Sequence, residues 1–160
     1  MSPGELNDEC MTEASSIARL AQHKALRVAC AESLTSGAIA SHLGAASSAS
    51  EWFAGGVVAY SAQLKFDLLG VERGPVVTAT AAEQMARGVA KLASADVALA
   101  VTGEGGPEPA EDAPVGTVYA AVWGLGVHEV REFHFDGGPG DIVHATAFQA
   151  LRMLRAAAEK

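Results

Sequence analysis

Apolar positions along the chain alternate between helical spacing and short unbroken runs. Cys10, Ala14, Ile17, Ala18 and Ala21 recur at helical intervals. The apolar run at 26–30 then reads as a strand, and residues 37–43 as a short helix entered through Thr35 or Ser36. Residues 56–60 form a second strand. Ser61 is placed to cap a helix that runs through Leu69 and ends at Gly70. Thr80 and Glu83 make a T-x-x-E capping box, and Ala82, Met85, Ala86, Val89 and Ala93 follow as the buried face of its helix. The run at 97–101 is apolar throughout, as in a strand covered on both sides. Residues 117–123 and 127–135 read as a hairpin turned at Gly124-Leu125-Gly126. A last helix starts near Asp141, with Val143, Ala147, Ala150, Leu151 and Leu154 on its buried face.

Strands alternating with helices predict a layered α/β domain with an antiparallel pair late in the chain. No repeat or interdomain linker interrupts it, so residues 1–160 are expected to form one domain, long enough to bury a core. One segment has no period. Residues 103–114 hold three Gly, three Pro and four acids, the signature of either a functional loop or a solvated connector.

Composition narrows the classes. Nineteen acids against eleven Lys and Arg give a formal charge of −8, which argues against a nucleic-acid partner, since such binding rests on clustered cations. No stretch of about 20 apolar residues exists, so no membrane span is expected. The first eleven residues carry acids and no Lys or Arg, unlike a signal peptide, and a cytoplasmic location is expected. Cys10 and Cys30 show no metal-ligand spacing and read as small buried hydrophobes in a reducing compartment. The five histidines are dispersed, and no metal site is expected. The hydrolase G-x-S-x-G elbow, the dinucleotide fingerprint and the phosphate loop are all missing.

Two segments carry candidate chemistry. Ala31-Glu32-Ser33-Leu34-Thr35-Ser36-Gly37 lies where a strand gives way to a helix. Ligands of α/β sheets collect beyond such strand ends. A Ser33 hydroxyl there would face the free N–H groups of the helix, which can hold an oxyanion. The alternative is that Ser33, Thr35 and Ser36 only cap the helix. In the second segment Tyr60 ends a strand and Lys65 lies one turn into the next helix, so both can face one site. A lysine serves as general base only if its pKa falls from about 10.4 towards 7, roughly 4 kcal/mol of disfavoured charge. Burial in an apolar wall supplies such a shift, whereas a solvated helix lysine has none.

These segments together resemble the CinA C-terminal-like family, the nicotinamide-nucleotide amidases. That family shows A-E-S-C-T-G-G, then F-x-G-G-V-V-A-Y-S-N-x-x-K-x-x-L-L-G-V, then T-G-I-A-G-P and P-V-G-T-V-Y. This chain has Ala31 to Gly37 for the first block and Phe53-Ala54-Gly55-Gly56-Val57-Val58-Ala59-Tyr60-Ser61 with Lys65 for the second. Thr102-Gly103 and Gly106-Pro107 keep part of the third, and Pro114 to Tyr119 keep the fourth. The resemblance implies a stand-alone domain with a three-layer α/β/α sandwich around a mixed, mainly parallel sheet. It implies a serine amidohydrolase that deamidates nicotinamide mononucleotide to nicotinate mononucleotide and ammonia. Ser33 would be the nucleophile, Lys65 its base, and Tyr60 the group that orients Lys65 or relays its proton. Substrate contacts would come from Glu32, Leu34, Thr35, Ser36 and Gly37, from Thr102, Gly103, Gly105 and Gly106, and from His144. A homodimer or larger homo-oligomer is implied as well.

The sequence departs from that pattern in three places. Leu34 and Ser36 replace Cys and Gly beside the serine. Glu104 and Gly105 replace Ile and Ala, which brings a carboxylate that repels phosphate. Where the family has G-D-R-x-x-V-R, residues 138–144 carry no arginine, the preferred bidentate partner of phosphate; His144 offers only a partial charge. Three readings therefore stay open: an amidase on nicotinamide mononucleotide, a Ser/Lys hydrolase of a less anionic amide, and a ligand-binding domain with a lapsed site.

Overall fold

The computed structural model describes residues 2–160; Met1, part of the expected 1–160 domain, lies outside them. Helix α1 (Pro3–Lys24) opens with a capping box in which Ser2 and Glu5 satisfy each other's backbone N–H groups. Ala25 closes it in a left-handed conformation, and the Leu26 N–H bonds back to the Ala21 carbonyl. That closure consumes residue 26, so strand β1 covers Val28–Glu32, two residues later than the apolar run suggests.

Helix α2 (Ala38–Ala45) and the single turn α3 (Ala49–Trp52) lead into β2 (Phe53–Val58). Helix α4 (Ala62–Leu69) is bounded as expected: Ser61 Oγ accepts from the Leu64 N–H, and Gly70 is left-handed. Helix α5 (Ala79–Ala93) starts two residues earlier than its sequence suggests. The cap is Thr78, which is extended and whose Oγ1 accepts from the Ala81 N–H; Thr80 is an exposed first-turn residue, and the expected Thr80–Glu83 box does not form. Strands β3 (Val97–Gly103), β4 (Thr117–Gly124) and β5 (Val127–His134) follow, the last two joined by the expected tight turn. Helix α6 (Pro139–Ala158) begins at Gly138, whose N–H is held by Asp141.

The five strands form one sheet in the order β2-β1-β3-β4-β5. β1 runs parallel to both β2 and β3, while β4 is antiparallel to β3 and to β5. Four strands thus point the same way and only β4 is reversed, giving the expected mixed sheet. Helices cover both faces, and side-chain alternation divides the core between them. Val28, Cys30, Val97, Leu99, Val101, Val118 and Val122 pack towards α1, α2 and α6. Ala29, Ala31, Ala98, Ala100 and Ala121 face α5, so the bulkier layer lies on the α1/α6 side. Gly88 brings α5 against the end of α4, since a Cβ there would lie 2.0 Å from the Leu69 carbonyl oxygen.

Candidate active site

The chain leaves β1 for β2 on one side and returns through α4 and α5 to β3 on the other. Strand order therefore reverses between β1 and β3, where α/β sheets open a crevice at the carboxyl ends. A cavity of about 390 Å³ lies there. Ser33 and Leu34 line it from the end of β1, Thr102 and Gly103 from the end of β3, and Tyr60, Ala62 and Lys65 from the start of α4. Residues 103–114 form another wall through Glu104, Gly105, Gly106, Glu108, Ala110 and Glu111, so this loop is part of the cavity and not a solvated connector. Val76 and Val77, together with Pro139 and Val143 of α6, complete it.

Lys65 Nζ lies 2.8 Å from Ser33 Oγ and 3.0 Å from the Tyr60 carbonyl oxygen. The side chain is 2% exposed, which puts an amine of a helix surface position into the protein interior. Burial pulls its pKa down from 10.5 to about 8, against a smaller upward pull from the Glu111 carboxylate. Such an amine is about one-tenth neutral at pH 7. As an ammonium it donates to Ser33 Oγ; as an amine it can accept the hydroxyl proton over the same distance.

The turn after β1 is built around a carboxylate. Glu32 is fully buried and its two oxygens accept from the N–H groups of Gly37, Ile39 and Ala40, at 3.2, 3.0 and 2.8 Å. It caps α2 from the strand before it. Neither Thr35 nor Ser36 does so, which corrects the expected helix entrance. The α2 donors that were expected to face a Ser33 ligand are consequently occupied. Unbonded N–H groups remain at Leu34 and Thr35, and across the cavity at Gly105 and Gly106, among the described residues. Ser36 and Gly37 both have positive φ, 52° and 108°, so Ser36 adopts a left-handed conformation where glycine would sit without strain.

The opposite wall is held by two acids. Glu111 accepts from the Val76 and Val77 N–H groups, and Glu104 Oε2 accepts from the Glu111 N–H at 2.8 Å. Thr102 Oγ1 donates to the Val76 carbonyl, tying the same loop to β3. Among the described residues no cluster of His, Cys, Asp and Glu could hold a metal ion, and no helix is long and apolar enough to cross a membrane.

The CinA C-terminal domain family matches residues 11–158. The chain belongs to this family. A CinA-like protein of Geobacter sulfurreducens is 40% identical over 148 residues, 88% of this chain but 36% of that protein. Another from Geotalea daltonii is 43% identical over 131 residues, 78% of this chain and 32% of the other. This CinA domain thus spans about a third of the curated relatives it matches. Among solved structures, a competence-damaged protein (CinA) superfamily protein from Escherichia coli superposes with a TM-score of 0.89 at 31% identity, covering 98% of this chain and 93% of the other. A competence/damage inducible protein from Agrobacterium tumefaciens gives 0.84 at 32% identity, with 98% of both chains covered.

Of the residues that the family resemblance nominated, this CinA domain brings Ser33, Leu34, Tyr60, Lys65, Thr102, Gly103, Gly105 and Gly106 to one cavity. Glu32, Thr35, Ser36, Gly37 and His144 do not line it. Glu32 is committed to the α2 backbone, and Thr35 is buried with its hydroxyl unpartnered. His144 is half-buried near His42, whose pKa is lowered first by its own burial and then by the neighbouring His144. Val143, expected on the buried face of α6, is half-buried and faces the cavity instead. The Tyr60 side chain is 68% exposed, and its hydroxyl has no hydrogen-bond partner among the described residues; its carbonyl is what meets Lys65. Sequence reasoning missed Glu111, Val76 and Val77, whose only trace was the density of acids in residues 103–114 and an apolar pair before α5.

Proposed function

We propose that this CinA domain is a Ser/Lys amidohydrolase that releases ammonia from a primary carboxamide. The 2.8 Å approach of a buried, pKa-depressed Lys65 to Ser33 is the observation that carries this reading. Neutral Lys65 takes the Ser33 proton while Oγ attacks the amide carbon. The unbonded N–H groups of Leu34 and Gly105, two residues that line the cavity, are available to the developing oxyanion. The lysine then returns the proton to the leaving nitrogen, ammonia departs and an ester to Ser33 remains. Water, deprotonated by the same amine, hydrolyses that ester to a carboxylate and restores Ser33. The Tyr60 carbonyl orients the amine; the step needs no metal or organic cofactor.

Nicotinamide mononucleotide, which the family resemblance supplies, is the first amide to try. Ammonia release by the purified protein is the test. Ser33→Ala and Lys65→Ala are expected to lower kcat by 10³-fold or more. Activity should rise with pH through an apparent pKa near 8, because only the neutral amine is a base. Turnover that survives either substitution overturns the mechanism.

A homodimer is part of the same proposal. Val58, Tyr60, Leu64 and Leu68 form an exposed apolar stripe beside β2, an edge strand of the sheet, and such patches favour burial against another chain. Two free, buried cysteines suit a reducing, cytoplasmic location.

A further inference from the structure

The cavity around Ser33 is unusual in its charge. Glu104, Glu108 and Glu111 line it, and Lys65, already engaged with Ser33, is its only lysine or arginine among the described residues. Of these acids, Glu111 acts on the Lys65 amine, and Glu104 lines the same cavity. Gly105, next to Glu104, packs on Leu34 beside the serine. Glu104 is 3% exposed, yet only its Oε2 has a partner among the described residues. Its other oxygen is not a buried orphan but is open to the cavity, free to accept from a ligand donor or to face a positive charge.

We infer that the site takes a cationic primary carboxamide without phosphate, and that Glu104 sets this preference. The inference rests on the amidohydrolase reading and names its substrate class. A positive ring or chain atom close to the carboxamide would lie against the wall that carries Glu104 and Glu111, where opposite charges attract. A dianionic phosphate on the same ligand would meet no arginine and would be repelled by Glu108 at the rim.

The test compares ammonia release from three probes: nicotinamide riboside (cationic, no phosphate), nicotinamide mononucleotide (cationic, phosphorylated) and nicotinamide (neutral). The riboside is expected to give a kcat/KM at least ten-fold above either of the others. Glu104→Gln keeps an acceptor for the Glu111 N–H, and should shrink the preference for riboside over mononucleotide several-fold. Glu108→Gln, at an exposed position, should shift it in the same direction whether or not the first variant folds. Ser33-dependent turnover that favours the mononucleotide, treats the neutral amide as well as the cation, or keeps its preference in both variants overturns the inference and leaves the amidohydrolase standing. If no probe gives Ser33-dependent ammonia, the amidohydrolase reading falls and takes the inference with it.

Discussion

Two helices begin beside the cavity, and their first turns are built on different principles. α4 is closed locally: Ser61 Oγ takes the Leu64 N–H, and Gly70 supplies the left-handed end. Every partner lies within a few residues. α2 has no capping side chain of its own, and its first N–H groups are taken by Glu32, five to eight positions earlier and inside the protein. The difference matches what each entrance carries. α4 presents a lysine on a regular helix, where helical geometry alone fixes its direction. The α2 entrance must bend the chain sharply after β1 to set Ser33 at the cavity, and a buried carboxylate that gathers three N–H groups holds that bend. A negative side chain there also balances the helix dipole, so it removes α2 itself as an anion site. In the proposed mechanism the oxyanion donors then come from Leu34 in the bend and Gly105 across the cavity.

Removing Glu32 gives the largest expected loss from this contrast. Glu32→Ala leaves three backbone donors without their acceptor, that of Ile39 buried and those of Gly37 and Ala40 half-buried, and should lower stability by about 3 kcal/mol, read as a fall in the denaturant midpoint. It should also lower kcat far more than Glu32→Gln, whose amide oxygen can keep part of the cap. Equal stability of Glu32→Ala and wild type would show that the bend needs no carboxylate.

Lys65→Met probes the α4 side with the opposite sign. It removes the penalty of a buried cation and should raise stability by about 1–2 kcal/mol at pH 7 while abolishing activity. The folded amine holds its proton less tightly than the unfolded one, so wild-type stability rises with pH between about 8 and 10.5. The advantage of Lys65→Met should fade across that window, which melting curves at stepped pH can follow. The smallest change is Ser61→Ala, with a loss of about 1 kcal/mol by denaturant titration and a modest fall in rate. A Ser61→Ala loss as large as that of Glu32→Ala would erase the distinction between the two entrances.

Much of this architecture was readable before any coordinates. The helical period from Cys10 to Ala21, the Ser61–Gly70 bounds of α4, the run of β3 and the late hairpin all depend on neighbours in sequence. The rule that ligands gather beyond parallel strand ends likewise led to Ser33. Boundaries failed where the deciding bond was not implied by the local pattern. Thr78 and Thr80 are both plausible caps in one dimension, and only the path of the chain after Val76 and Val77, held by Glu111, selects the first.

The sequence by itself determined most of the elements, because periodicity and capping act over a few residues, and it singled out Ser33 and Lys65 through the family resemblance. Tertiary structure alone decided that Lys65 meets Ser33, that Glu32 holds a helix and not a ligand, and that the acids of residues 103–114 line the cavity. Lys65 and Ser33 stand 32 positions apart and Ser33 and Glu111 78, separations over which a linear pattern holds no electrostatic information, while Glu32 lies within eight positions of its donors and is committed to them by burial.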